Sequence, residues 1–219
     1  KLNFKLGKKS ILLTYHPYNI DRKILVKDIK EIFKALSFFN DLKIIVTMPN
    51  ADANGIYLAD LISKIVIKNK NIKIYKSLGW KNYLSCLHYV DMVIGNSSSA
   101  ILEAPSYGIP SINIGDRQKG RLFAKSVISC AGTNADIKRS INRGLSKSFL
   151  STLKNNVNPY GSGGACDKIY KITKKIKINK ETLKKKFFDI KWDMSLKTWK
   201  DTIIFENSTV KKVLQNLSV

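Results

Sequence analysis

Five short runs of apolar and β-branched residues recur between residues 10 and 114, separated by longer stretches with helical spacing. Residues 22–37 and 56–68 carry apolar side chains at the spacing of amphipathic helices. Strands that alternate with helices form parallel sheets through right-handed crossovers. The sequence therefore predicts an α/β fold built on a doubly wound, Rossmann-like parallel sheet. The runs expected to be its strands are residues 10–15, 42–47, 72–75, 91–94 and 111–114.

The fourth run ends at Gly95 and is followed by Asn96, Ser97, Ser98 and Ser99. A serine hydroxyl commonly caps the start of a helix, and a helix start offers backbone N–H groups and a positive dipole end to a diphosphate. Glu103 follows about one turn later, where a carboxylate could accept both ribose hydroxyls. The segment predicts half of a nucleotide-sugar site. The alternative is an ordinary N-cap with Glu103 as a capping-box or surface residue.

Other polar residues follow the first two runs. His16 stands after the first run, and Asn50 and Asp52 follow the second. Ligands of open parallel sheets bind at the carboxyl ends of strands, so one crevice could hold these residues together with the serines. The alternatives are that the histidine at the strand end has a structural role and that the PNAD sequence is only a turn.

The string GNSSSAILEAPSYGIPSINIGDRQKGR resembles the signature of the hydrolysing UDP-N-acetylglucosamine 2-epimerases, the branch that makes N-acetylmannosamine-type sugars for sialic and legionaminic acids. Four further motifs resemble the same family in the same order: TYHP, PNAD, SLG and NPYG, at residues 14–17, 49–52, 77–79 and 158–161. The resemblance covers about residues 7–189. It implies the C-terminal domain of a two-domain GT-B-type fold, whose first nucleotide-fold domain would precede residue 1.

The resemblance also implies roles for single residues. His16 would touch the diphosphate leaving group or shuttle a proton near it, and Arg117 would bind the nucleotide, although a salt bridge to Asp116 is an alternative for Arg117. The other implied UDP or substrate contacts are Ser97, Ser98, Ser99, Glu103, Asn50 and Asp52. The chain departs from the family pattern at Ala100, where a glycine is common, and after PNAD, where relatives carry a basic residue. No metal and no cofactor are implied.

In the family's reaction, the carbon 2 proton of a UDP-N-acetylhexosamine is removed and UDP leaves, which gives a 2-acetamidoglycal. Water then adds and releases the epimerised free sugar. The substrate implied here is UDP-N-acetylglucosamine or UDP-N,N'-diacetylbacillosamine. Because the family's acid and base come mainly from the first domain, we expect this chain alone to bind UDP without turnover.

We expect residues 1–190 to form the nucleotide-binding domain. The tail, residues 191–219, has a short resemblance to the start of a CBS regulatory domain, and a loosely packed tail is the alternative. The 3 cysteines are far apart, which favours a reducing cytoplasm over a disulfide framework. No run approaches the roughly 20 apolar residues of a membrane helix, so we expect no membrane partner. Whether the chain forms a homo-oligomer stays open.

The formal net charge of +23 raises the question whether the chain binds nucleic acid. Lysines dominate the basic residues and are densest between residues 168 and 200, away from the predicted site, which indicates solvated helix surface and no nucleic-acid partner. Two other functions stay open at this point. One is the nucleotide-sugar half of a GT-B glycosyltransferase, which shares the serine or glycine helix start and the ribose-binding glutamate. The other is a basic, non-catalytic binding module.

Overall fold

The structure is a computed structural model and describes residues 2–18, 21–50, 53–67 and 69–184. The chain forms two compact units, Lys1–Gly163 and Gly164–Val219. The expected domain end near residue 190 and the CBS-like tail lie outside the described residues, so both stay predictions.

The first unit is built on a sheet of six parallel strands in the order β3-β2-β1-β4-β5-β6. This arrangement confirms the predicted doubly wound sheet. All five predicted strands are correct to within one residue at each end, and β2, β3 and β5 agree at both ends. The sixth strand was not predicted. Strands β1 and β4 lie side by side where the winding reverses, which is where open α/β sheets bind ligands. The strands are β1 Lys9–Thr14, β2 Leu42–Thr47, β3 Ile72–Tyr75, β4 Met92–Gly95, β5 Ser111–Ile114 and β6 Val127–Cys130.

Helices connect these strands, and single polar side chains define where some of them begin. Asp21 accepts a hydrogen bond from the N–H of Lys23 at 2.8 Å, and Thr133 accepts one from Asp136 at 3.2 Å. Such caps satisfy N–H groups that the first helical turn leaves without partners. The helices of this unit are α1 Arg22–Leu36, α2 Gly55–Val66, α3 Gly79–Tyr89, α4 Ser99–Leu102, α5 Asn134–Gly144 and α6 Lys147–Thr152.

Both faces of the sheet are covered, because successive side chains of a strand point to opposite faces. On one face Ile11 and Leu13 pack in a core cluster with residues of α1, α2 and α5. On the other face Leu12 and Val93 pack with α3 and the segment after β4. Burial of each such aliphatic side chain contributes about 1.5–3 kcal/mol, so these two layers fix the strand ends that form the site.

The second unit contains helix α7, Ala165–Lys175, and a further turn, α8, Lys180–Leu183. Gly164 occupies the N-cap position of α7 with a positive φ of 75° and no side-chain capping bond. Within the described residues no helix is both long and apolar enough to span a bilayer.

Candidate nucleotide-sugar site

A cleft of about 1080 Å³ opens at the carboxyl ends of the central strands. Its walls come from the segments that follow β1, β2, β3 and β4, and from helices α2 and α3. The position agrees with the rule that doubly wound sheets bind ligands at the reversal point. The predicted site residues that line it are His16, Asn50, Ser97, Ser98, Ser99, Glu103 and Arg117. Asp52 lies outside the described residues, so its role stays a prediction.

The close approach of β4 to β1 brings the histidine and the serines to the same cleft. Gly95 has a φ of +133°, and a Cβ atom there would lie 1.9 Å from the carbonyl oxygen of Thr14. Only glycine therefore fits at this position, because a side chain would clash with the neighbouring backbone. Since Gly95 ends β4 and Thr14 ends β1, Asn96 directly after β4 and His16 two residues after β1 lie close together.

The serine turn differs from the predicted helix start. Helix α4 has only four residues and continues into a 3-10 turn, Ala104–Tyr107, and Ser98 at the N-cap position makes no side-chain capping bond. A single turn supplies only a small dipole, so hydroxyls and nearby charges matter more here than the predicted macrodipole. The Oγ of Ser97 accepts a long bond of 3.4 Å from the N–H of Ser99, which orders the turn.

Three oxygen atoms in the cleft wall are buried, and none of them makes a hydrogen bond of good geometry within the described structure. They are the hydroxyl of Tyr83, the Oγ of Ser99 and the Oε2 of Glu103. Buried polar atoms are nearly always hydrogen-bonded in proteins, and exceptions need a reason. Because all three residues line the same cleft, the donors and acceptors of a bound ligand are the natural partners for these atoms.

The sequence did not single out Tyr83, although it follows the SLG motif on α3 by a few residues. Burial raises the pKa of its hydroxyl above the ordinary value, and the nearby hydroxyls of Ser99 and Thr14 lower it to a smaller extent. Tyr83 therefore stays protonated at neutral pH and can donate a hydrogen bond. Trp80, one turn earlier on the same helix, also lines the cleft and leaves 71% of its surface exposed. The sequence signal that could have identified Tyr83 is its position as an aromatic residue one helical turn after the SLG motif.

Arg117 reaches the cleft from the loop after β5. Its Nη1 donates a hydrogen bond to the carbonyl oxygen of Asn96 at 3.0 Å. Arg117 is therefore paired with a backbone carbonyl, and it does not form the alternative salt bridge to Asp116. The remaining N–H groups of a guanidinium suit phosphate oxygens. His88, in contrast, is exposed on α3 and contacts the rings of Tyr89 and Tyr107, which agrees with a packing or surface role.

A doubly wound domain with hydroxyl, carboxylate, imidazole and guanidinium groups around the reversal point belongs to the class of open α/β proteins that bind ligands at the carboxyl ends of their strands. Within that class, residues 1–174 match the family described as UDP-N-acetylglucosamine 2-epimerase, and the chain belongs to this family. The resemblance stated from the motifs is thereby confirmed.

Curated relatives agree with the family. The chain is 41% identical over 128 residues to the GDP/UDP-N,N'-diacetylbacillosamine 2-epimerase (hydrolyzing) of Campylobacter jejuni, a match that covers 58% of this chain and 33% of the relative. It is 32% identical over 197 residues to the polysialic acid biosynthesis protein P7 of Escherichia coli, which covers 87% of this chain and 49% of the relative. The matches thus span between a third and a half of the length of these relatives.

Solved structures show the same fold. The UDP-GlcNAc 2-epimerase of Neisseria meningitidis, bound to UDP-GlcNAc, matches with a TM-score of 0.65 and 17% identity, over 77% of this chain and 45% of that one. An epimerase structure from Listeria monocytogenes matches with a TM-score of 0.63 and 17% identity, over 75% and 43% of the two chains. At this identity the likeness concerns the fold alone.

Proposed function

We propose that this chain is the UDP-binding half of a hydrolysing UDP-N-acetylhexosamine 2-epimerase. The observation that carries the proposal is the convergence of His16, Ser99, Glu103 and Arg117 on one cleft at the reversal point of the sheet. Family membership favours this function over the glycosyltransferase and the basic binding module. The extent of the curated matches agrees with half of a two-domain, GT-B-type enzyme.

The four groups suit different parts of UDP. A carboxylate can accept hydrogen bonds from both hydroxyls of a ribose, and Glu103 has a buried oxygen without a partner for this purpose. The Arg117 guanidinium can pair with a phosphate, and the serine hydroxyls can donate to phosphate oxygens. His16 then lies where an imidazole can contact the diphosphate as it leaves or transfer a proton near it.

The proposed reaction of the whole enzyme has two steps. The carbon 2 proton is removed while the bond from carbon 1 to the UDP oxygen breaks, which leaves UDP and a 2-acetamidoglycal. Water then adds across the carbon 1–carbon 2 double bond and returns a proton to carbon 2 on the opposite face, giving the epimerised free sugar. We assign the carbon 2 acid and base to another domain of the enzyme, so this chain should bind UDP and not turn over substrate.

The names of the relatives support two substrates, UDP-N-acetylglucosamine and UDP-N,N'-diacetylbacillosamine, and one relative is named for polysialic acid biosynthesis. We therefore propose a place in the synthesis of sialic or legionaminic acid-type sugars. We further propose a cytoplasmic location. Cys86, Cys130 and Cys166 are all free, which agrees with a reducing compartment.

Calorimetric titration of UDP into the chain tests the proposal. We expect a Kd of about 0.1–1 mM, since half of the cleft would come from another domain, and a clear loss of binding in Glu103→Gln. Glu31→Gln is the matched control, because Glu31 is also a half-buried glutamate but does not line the cleft. Equal affinities for all three chains, or no binding by a folded wild-type chain at millimolar UDP, would contradict the assignment.

A further inference from the structure

Asn96 forms hydrogen bonds with two residues of the cleft wall, His16 and Arg117, without lining the cleft itself. It is completely buried, with 0% of its surface exposed. Its Oδ1 accepts a hydrogen bond from the N–H of His16 at 2.7 Å, and its Nδ2 donates to the carbonyl oxygen of His16 at 2.8 Å. One side-chain amide thus bonds both backbone polar groups of a single residue, which fixes the backbone of His16 against the end of β4.

The main chain of Asn96 makes the second half of the connection. Its carbonyl oxygen accepts hydrogen bonds from Nη1 of Arg117 at 3.0 Å and from Nε2 of Gln118 at 2.7 Å. Its N–H donates to the carbonyl of Thr14 at 3.3 Å. Asn96 therefore joins the segments that follow β1 and β5, the two neighbours of β4 in the sheet.

We propose that Asn96 is a positioning residue that sets the His16 imidazole and the Arg117 guanidinium at a fixed separation for one anionic ligand, the diphosphate of UDP. The inference rests on the proposed UDP-binding function. Two groups that must meet the same diphosphate need a defined spacing, and a shift of about 1 Å in such a group can cost binding or rate heavily. The two hydrogen bonds to Asn96 fix the position of the loop after β1, because a buried amide with satisfied hydrogen bonds holds a single geometry.

A purely structural amide elsewhere in the chain provides the matched control. Asn156 accepts a hydrogen bond from the N–H of Ser126 at 3.2 Å and donates to the carbonyl of Pro105 at 2.9 Å. Like Asn96, it accepts from one backbone N–H and donates to one backbone carbonyl, but these belong to two different residues, Ser126 and Pro105, and neither lines the cleft. Loss of Asn156 should therefore lower stability without changing the site.

The test compares Asn96→Ala with Asn156→Ala by thermal melting, by NMR of the histidine rings across pH, and by UDP titration. The chain has only 2 histidines, so His88 serves as the internal reference. Asn96→Ser, which keeps a hydroxyl for one of the two bonds, replaces Asn96→Ala if that variant does not fold. In the Asn96 variant we expect the His16 ring signal and its titration midpoint to move, the His88 signal to stay, and UDP affinity to fall about 5-fold or more. In Asn156→Ala we expect a lower melting temperature, with wild-type histidine signals and wild-type UDP affinity.

An unmoved His16 signal in the folded Asn96 variant would overturn the inference, and so would equal movement in Asn156→Ala. The NMR comparison needs no ligand, so it decides the positioning role even if the wild-type chain does not bind UDP. A wild-type chain that fails to bind UDP contradicts the proposed function separately. If UDP binds and the Asn96 variant binds it as tightly as the wild type, the function stands and the positioning role is wrong.

Discussion

Replacing Tyr83 by phenylalanine should leave the fold intact and weaken UDP binding. The substitution removes a single oxygen atom, a buried hydroxyl that lies near the hydroxyls of Ser99 and Thr14 but makes no hydrogen bond of good geometry within the described structure. A buried polar atom without a partner costs about 1–3 kcal/mol, so its removal should leave the free energy of unfolding unchanged or raise it. If the hydroxyl donates to bound UDP, its loss should cost about 0.5–1.5 kcal/mol of binding, or roughly a 2- to 12-fold increase in Kd.

Urea unfolding and calorimetric titration of UDP measure the two effects on the same protein. Tyr75→Phe is the control, because the Tyr75 hydroxyl donates to the backbone carbonyl of Leu2 and Tyr75 does not line the cleft. That variant should lose stability and keep its affinity for UDP. The reasoning would be refuted if Tyr83→Phe lost stability as Tyr75→Phe does while its UDP affinity matched the wild type.

Two further predictions concern stability. Gly95→Ala should destabilise the chain by about 3 kcal/mol or more in urea unfolding, since its Cβ would lie 1.9 Å from the Thr14 carbonyl oxygen at a φ of +133°; a loss below about 1 kcal/mol would contradict this close approach. Hydrogen bonds from the backbone N–H and side chain of Asn134 lower the pKa of Glu31, so its ionised form stabilises the fold. That contribution is complete above the unfolded pKa of about 4.3 and is lost as pH falls through the lowered folded value. Glu31→Gln should therefore lower the melting temperature at pH 7, with a difference that shrinks toward acid pH; a difference that did not change with pH would exclude the charge as its cause.

The sheet could be predicted from the sequence because its signals are local. Buried parallel strands are short apolar runs, and β2, β3 and β5 have the predicted bounds. Strand β6 was missed because its run, VISC, is short and interrupted by a serine, and only its pairing with β5 makes it a strand. The helix predicted to start at the serines is only one turn, α4, because Pro105 follows it within a few residues and the chain turns into a 3-10 segment.

The site could be predicted only in part, for the same physical reason. His16, Ser97 and Glu103 follow strands or belong to a motif, and all three line the cleft. The links among them depend on contacts between residues far apart in the chain, which no local pattern records. Asn96 has no sequence signal for its bonds to His16, because those bonds exist only once β1 and β4 are adjacent.

The central position of β1 has a consequence for how the chain folds. Its pairing with β2 joins Lys9 to Leu42, whereas its pairing with β4 joins Ile11 to Met92. At a synthesis rate of about 5–20 residues per second, the second partner is made roughly 4–16 s after β1, and one edge of β1 stays unpaired in that interval. Non-local pairing of this kind slows folding and exposes apolar strand edges to aggregation. The cleft, which needs His16 and Asn96 side by side, therefore cannot form before β4 has been made.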